Sequence, residues 1–188
     1  MGTIKTTNIE TITGSGTLTI GQSGETITIP SGVTITNNGT QTGFGGTNTP
    51  NFLVVPSSNQ TISNDTTTLI AFQTVVFDTA SGFNNTASNY KYTIPSTGKY
   101  QISYSARKNN FTNDTRFNLT LYKNGSEIDS AENSEGGAYD IVNKTGIYEF
   151  SSGDYLQVKI YQTTGGNVTL FTRTNFFETS FSGFKLIG

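Results

Sequence analysis

Glu127, Asp129, Glu132, Glu135 and Asp140 form the densest group of carboxylates in a chain with only 13% charged residues. Two carboxylates held about 5–10 Å apart across a sugar can cleave a glycosidic bond, one as acid and the other as base or nucleophile. That chemistry would make a small polysaccharide depolymerase. The spacing argues the other way. Glu127 and Asp129 fall on one face of a predicted strand, and the other three lie in or beside a predicted loop, so the group reads as solvated charge. Arg107, Lys108 and Arg116 flank an Asn-rich stretch and read as surface charge too. The chain has no Cys and no His, which removes most nucleophile–base pairs, the usual zinc ligands and every disulfide. No loop carries a complete set of oxygen ligands for calcium. Gly165-Gly166 lacks a phosphate-binding context and reads as a turn. The expectation is a protein that is not an enzyme, with no metal and no cofactor.

The net charge of −2 over 188 residues gives no basis for nucleic-acid binding. No apolar run approaches the roughly 18 residues of a membrane span, and the first residues lack the apolar core of a secretory signal. Without such a signal, triplets such as Asn64-Asp65-Thr66 and Asn118-Leu119-Thr120 read as products of composition rather than glycan acceptors. Thr, Ser and Asn make up more than a third of the chain. With Ile, Val, Tyr and Phe as its main large apolar residues, the sequence favours strands. An all-β fold is predicted.

The clearest strand is Gly153–Thr163. Leu156, Val158 and Ile160 point one way, and Tyr155, Gln157, Lys159 and Tyr161 the other, the period of a strand with one buried face. Similar phrases recur from Asn51 onward. Lys99–Arg107 puts Tyr100, Ile102 and Tyr104 on one face, and Arg116–Lys123 does the same with Phe117, Leu119 and Leu121. Asn124-Gly125 is a strong hairpin turn. Asn51–Val55, Thr68–Phe77, Tyr90–Ile94, Ser126–Ala131, Tyr139–Phe150, Val168–Thr172 and Phe176–Ile187 complete the predicted set. In the last of these, Phe177 and Phe181 have one parity and Phe184 and Leu186 the other, so a bulge at Ser182-Gly183 is expected to bring all four to the core. Residues 51–188 are read as a sandwich or jelly-roll head.

Residues 1–50 are read as a separate stem. Leu18, Ile20, Ile27, Ile29, Val33 and Ile35 alternate with Thr in three short phrases divided by Gly- and Ser-rich turns. At about 1.5–3 kcal/mol per buried side chain, the gain is below the roughly 1–2 kcal/mol per residue needed to order the backbone. Several copies around an axis, with these six residues inward, would resolve the deficit. Gly39–Gly46 reads as a neck. Residues 1–16 are expected to dock on other proteins of a larger assembly.

Val75-Val76-Phe77-Asp78, then Tyr92-Thr93-Ile94-Pro95 leading into Gly98-Lys99-Tyr100-Gln101-Ile102-Ser103-Tyr104, then Gly153-Asp154-Tyr155-Leu156 and Phe181-Ser182-Gly183-Phe184-Lys185-Leu186, occur in an informative order. In that order and spacing the head resembles the C1q/tumour-necrosis-factor-like jelly roll. The resemblance implies a ten-stranded jelly roll that assembles as a homotrimer, with both ends of the head at its base. Members of that family can hold calcium near the trimer axis, but no residues here carry that site over. The stem has no Gly-X-Y period and resembles instead the Gly/Thr-rich rungs of bacteriophage fibres and spikes.

Longer and tighter connections alternate along the head. The longer loops are expected to gather at the end distal to the stem, carrying Phe83, Asn84, Asn85, Asn109, Asn110, Phe111, Asn113, Asp114, Glu132, Glu135 and Tyr139. Polar groups with aromatic platforms suit recognition of a host-surface glycan; Phe83, Asn84, Asn109, Asn110, Phe111, Asn113 and Tyr139 are the candidate ligand contacts. The outward Tyr122, Tyr155 and Tyr161 are assigned to the trimer interface together with the six stem aliphatics. The resulting expectation is a non-enzymatic homotrimeric protein of a virion surface, a short tail fibre or spike with a distal knob. Alternatives are a capsid decoration protein, a polysaccharide depolymerase, and a cellular C1q-like adhesin or spore-surface filament.

Overall fold

In a computed structural model of the chain, the structure describes residues 17–36, 38–39, 48–111, 116–133, 137–173 and 176–186, with backbone alone at 109–111 and 137–140. Residues 1–44 and 45–188 form two units, and each is described by itself.

In the first unit, residues 17–36 are exposed throughout and form turns at Ser23-Gly24 and Ser31-Gly32. The turns are closed by the Glu25 N–H on the Gln22 carbonyl (3.0 Å) and the Val33 N–H on the Pro30 carbonyl (3.3 Å). Among the described residues none of the three predicted strands is formed. A strand is defined by a hydrogen-bonded neighbour, and none of the phrases finds one within the single chain. From residue 40 the predicted neck, like the docking segment 1–16, lies outside the described residues.

Among its described residues the second unit holds thirteen strands: β1 (Asn51–Val55), β2 (Gln60–Ile62), β3 (Thr68–Leu69), β4 (Thr74–Asp78), β5 (Phe83–Asn84), β6 (Lys91–Thr93), β7 (Gly98–Phe111), β8 (Phe117–Lys123), β9 (Ser126–Asn133), β10 (Gly137–Phe150), β11 (Tyr155–Gln162), β12 (Val168–Leu170) and β13 (Ser180–Lys185). The first sheet runs β2-β12-β7-β13-β1-β4, with β10 also paired to β7. The second runs β5-β6-β11-β8-β9, with β3 also paired to β11. The printed pairings are all antiparallel, and no helix occurs among the described residues. The all-β jelly roll is as expected. The strand count is higher, in part because predicted Thr68–Phe77 crosses between sheets and splits into β3 and β4, with Ile70 and Phe72 buried at the crossing.

Between the sheets lies one apolar core, filled by the inward parity of each strand. Strand β11 alternates without a break, and Leu156, Val158, Ile160 and Gln162 are buried. Gln162 is a polar residue at a core position, and its amide is satisfied. Its Nε2 donates to the Ile62 and Gly166 carbonyls (3.2 and 2.9 Å), and its Oε1 accepts from the Thr164 N–H (2.7 Å).

Strand β13 departs from expectation. Its register with β1 and β7 is continuous through Ser182 and Gly183, so the predicted bulge is absent. Phe181 and Gly183 take the core face, Phe184 turns outward, and Phe177 lies before the strand and is exposed. The reason is room: Gly183 lies against Phe52 and Ile102, where a phenylalanine in its parity could not fit.

The three tight connections do gather at one end of the sandwich. There Asp154 accepts from Asn124 Nδ2 (2.7 Å), the Ser151 N–H (2.8 Å) and Lys123 (2.9 Å). Ser152 donates to the Pro95 carbonyl, and Lys185 reaches Ser96.

Candidate functional site

The candidate site is built from side chains that the two sheets turn away from the core. On the first sheet the register makes a grid. Ile147, Gln101, Phe184 and Asn51 form one row, and Thr145, Ser103, Ser182, Leu53 and Phe77 form the next. Ser103 and Thr145 share a hydroxyl hydrogen bond (2.8 Å), as do Ser105 and Ser180 (3.0 Å). A depression of about 300 Å³ opens in this face, lined in part by Leu53, Phe77, Phe184, Ser103 and Ser182. Val75, Val76, Phe77, Ile141 and Ile147 are exposed. Charges occur at the margins, Lys99 and Glu149 at the tight-turn end and Arg107 at the other. Among the described residues the middle carries hydroxyls, amides and apolar groups. Depletion of charge over a partly apolar face is the compositional mark of an interface core.

Arg107 and Lys108 are corrected from surface charge to buried residues. Strand β7 continues past them to Phe111, so they sit inside the ladder. Arg107 Nη1 pairs with Glu178 at 2.6 Å, and Glu178 also receives Arg173 through a second contact. The hydrogen bond from Arg173 holds the Glu178 carboxyl below the ordinary range; burial opposes this and Arg107 adds to it. Lys108 Nζ stands 5.5 Å from the centre of the Phe117 ring.

The outer face of the second sheet is of another kind. It presents Lys91, Tyr155, Gln157, Lys159, Tyr161, Asn118, Thr120, Tyr122, Glu127 and Glu132. Tyr122, Tyr155 and Tyr161, assigned from sequence to subunit contacts, lie here, and each has a cation over or beside its ring within the chain. Lys159 is 4.2 Å from the Tyr122 ring centre, Lys91 is 5.0 Å from that of Tyr155 and Arg116 is 5.9 Å from that of Tyr161. Each ring thus has a cation–π neighbour from its own chain and remains half-buried.

The acidic group is dispersed. A bulge between Leu121 and Tyr122 sets Glu127 opposite Tyr122 and Asp129 opposite Leu121. The expected shared face is therefore corrected: the extra residue turns Glu127 outward and Asp129 toward the seam with β10. Asp129 accepts from the Tyr148 hydroxyl (2.6 Å) and lies 3.3 Å from Lys144. Burial pulls its carboxyl upward, but Tyr148, the Ser130 N–H and Lys144 together hold it below the ordinary value. Glu132 pairs with Arg116 at 2.8 Å. Glu135 and the Asp140 side chain lie outside the described residues.

The candidate ligand contacts do not form one cluster. Phe83 and Asn84 lie on β5, paired to Tyr92 and Lys91, and Tyr92 pairs Leu156 near the tight-turn end of β11. Phe83 also packs on the core, 6.5 Å from the Phe181 ring centre. Asn109, Asn110 and Phe111 are strand residues of β7, and Tyr139 of β10 pairs Asn109 at the opposite end. Their expected loop is shortened because β7 and β10 each extend over fourteen residues. Asn113 lies outside the described residues.

Sequence reasoning missed Leu53, Phe77 and Phe184 as outward residues. The unalternated run Val75-Val76-Phe77 and the odd parity of Phe184 were the available signals.

No family model and no curated protein sequence matches the chain. Solved structures do. The globular domain of zebrafish complement 1qA matches with a TM-score of 0.52 and 15% identity, over 73% of this chain and 98% of that one. Eiger TNF from S. frugiperda matches with a TM-score of 0.54 and 17% identity, over 73% and 90%. Murine APRIL at pH 8.5 matches with a TM-score of 0.52 and 19% identity, over 72% and 98%. The head therefore has the C1q/TNF-type jelly-roll fold.

Proposed function

We propose that this chain is a non-enzymatic structural protein of a virion surface, a homotrimeric short tail fibre or spike. In this reading residues 1–50 anchor and trimerise, with residues 1–16 meeting other virion proteins, and the head contacts a host-surface glycan. One observation carries the reading. Leu18, Ile20, Ile27, Ile29, Val33 and Ile35 are each 46–63% exposed in the single chain. Their backbone has no ladder, yet they alternate as strand residues do. A second and a third copy would supply both the hydrogen-bonded edges and the apolar cover. The charge-poor face of the first sheet is suited to the same association in the head.

Sedimentation of the purified full chain tests the assembly. The expected mass is three times the 20.2 kDa of one chain, and gold-labelled antibody to the head should decorate intact particles. A folded, soluble monomer, or a trimer absent from particles, refutes the reading.

A further inference from the structure

We infer that the outer face of the second sheet carries a binding saddle for one acidic sugar unit. The saddle is a depression of about 260 Å³ between β8, β11 and the start of β3, lined by Arg116, Asn118, Thr120, Tyr122, Lys159 and Tyr161, with Thr67 and Glu127 also on its margin. Two cross-strand pairs make its floor, Asn118 with Tyr161 and Thr120 with Lys159, and Tyr122 stands beside them. Directly opposed side chains of this kind stand about 4.5–5.5 Å apart at Cβ, so the groups converge on one small ligand.

The donors outnumber the acceptors. Lys159 Nζ lies over the Tyr122 ring, and among the described residues no carboxylate is within ion-pair distance of it. Arg116 uses Nε on Glu132, and its terminal amino groups meet no acceptor among the described residues. Asn118 Oδ1 accepts the Thr120 hydroxyl at 3.1 Å, which leaves the Asn118 Nδ2 donor to the saddle. The depression offers an ammonium without an ion-pair partner, the free edge of a guanidinium held by Glu132 and an amide donor, with Glu127 as its one lining carboxylate; an anion seated on the donor side accepts several charge-assisted hydrogen bonds. The Tyr122 and Tyr161 rings border the depression and seat the Lys159 and Arg116 cations, so a sugar anion would meet charges held in place on aromatic supports. Tyr161 is fixed by its hydroxyl on Asp65, so that support is organised before binding. Glu127 at the margin can accept from sugar hydroxyls. The volume falls just below the roughly 300 Å³ floor of drug-sized sites, the scale of a single ring.

This inference deepens the attachment reading and rests on it for its biological meaning. It also moves the recognition surface from the loops to a rigid sheet face.

The test is calorimetric titration of the full-length protein with oligogalacturonate, with a sulfated dextran oligosaccharide and with neutral dextran. Binding of either anionic probe, at least tenfold tighter than neutral dextran and weakened by salt, is expected; the stronger of the two identifies carboxylate or sulfate as the recognised group. Losing one charge-assisted contact should weaken binding about tenfold or more in Lys159→Gln, with an unchanged melting temperature. Asn118→Asp, which turns a donor into a repelling charge, should do the same. Equal binding of neutral dextran, no binding of either anionic probe, or wild-type affinity in both variants overturns the saddle. Adsorption of the wild-type protein to host cells separates the two readings. Adsorption that survives both substitutions refutes the saddle and keeps attachment. Probe binding through Lys159 without adsorption keeps the saddle and refutes attachment.

Discussion

Gly183 offers a quantitative test of the core. A Cβ built there would lie 2.6 Å from Ile102 Cδ1, 3.0 Å from the Gln101 carbonyl oxygen and 3.0 Å from Phe52 Cε1. Carbon atoms in contact normally stand about 3.5–4.0 Å apart. Two of the three neighbours cannot yield. Gln101 contributes backbone of the paired strand, and the Phe52 ring is stacked on Tyr92 at 3.8 Å and set edge-on to Phe181 at 4.9 Å. Ile102 Cδ1 is the end of a side chain and is the neighbour that can move, against a packed core. Overpacking of this kind costs about 1–3 kcal/mol, and alanine returns about 0.5–1 kcal/mol of backbone entropy relative to glycine. The difference spans about 0–2.5 kcal/mol; with all three contacts at 3.0 Å or less the upper part applies, so Gly183→Ala should lose about 1–2 kcal/mol, or roughly 3–6 °C in melting temperature for a head of this size.

The companion substitution makes the argument refutable at the level of one atom. Ile102→Val deletes Cδ1, the nearest clashing group, and alone should cost about 0.5–1.5 kcal/mol. Combined with Gly183→Ala, it should cost less than the sum of the two by roughly 0.5–1 kcal/mol, because the cavity and the added methyl compensate. Melts of the full chain followed by circular dichroism, at one protein concentration, measure all four corners. A neutral or stabilising Gly183→Ala, or strict additivity, refutes the packing. A neutral result is also what a bulge at Ser182-Gly183 would give, since the added methyl would then face water.

Two further outcomes are expected. Asp129, Asp154 and Glu178 are each held below the ordinary carboxylate range by their partners, so the stability they contribute is complete above their unfolded values and lost as pH falls through the lowered folded ones. The melting temperature should change little from pH 7 to 5 and drop below about pH 4, with a shallower drop in Glu178→Gln; an unchanged slope in that variant refutes the clamp on Arg107 and Arg173. Ser182→Lys sets a charge in the uncharged face of the first sheet, where burial unpaired costs several kcal/mol; it should shift sedimentation toward monomer at an unchanged melting temperature of the isolated fold, and an undisturbed assembly would exclude that face as the contact.

Much of the head was legible in the sequence because its inner faces obey one rule. Tyr100, Ile102 and Tyr104, or Leu156, Val158 and Ile160, can occupy alternate positions only if one side of each strand is covered, and all six are buried. Departures came from events that parity does not carry. The bulge opposite Tyr122 separates Glu127 from Asp129 through one extra residue, and nothing in Ser126–Asn133 marks it. Lys108 read as surface charge because a strand end and a loop start look alike in an Asn-rich stretch. Residues 17–36 are the reverse case: their alternation is clear, but no ladder forms among the described residues of the single chain.

The two outer faces of the sandwich share the same alternation yet differ in what it would cost to cover them. Ser103, Ser182, Thr145, Gln101 and Asn51 can exchange water for a partner's hydrogen bonds at little loss, and Leu53, Phe77 and Phe184 gain by the exchange. Lys159, Arg116, Lys91 and Glu127 would each have to be stripped of water and matched by an opposite charge in good geometry. In the proposed trimer, association through the first sheet would therefore cost less than association through the second. In the proposed trimer this difference fixes the orientation of each copy. The hydroxyl-rich face turns toward its neighbours, and the saddle with its uncompensated Lys159 remains open to solvent. The tyrosines follow from the same reasoning: their rings already carry lysine and arginine from their own chain, so in the proposed trimer they stand on the open face as supports for those cations.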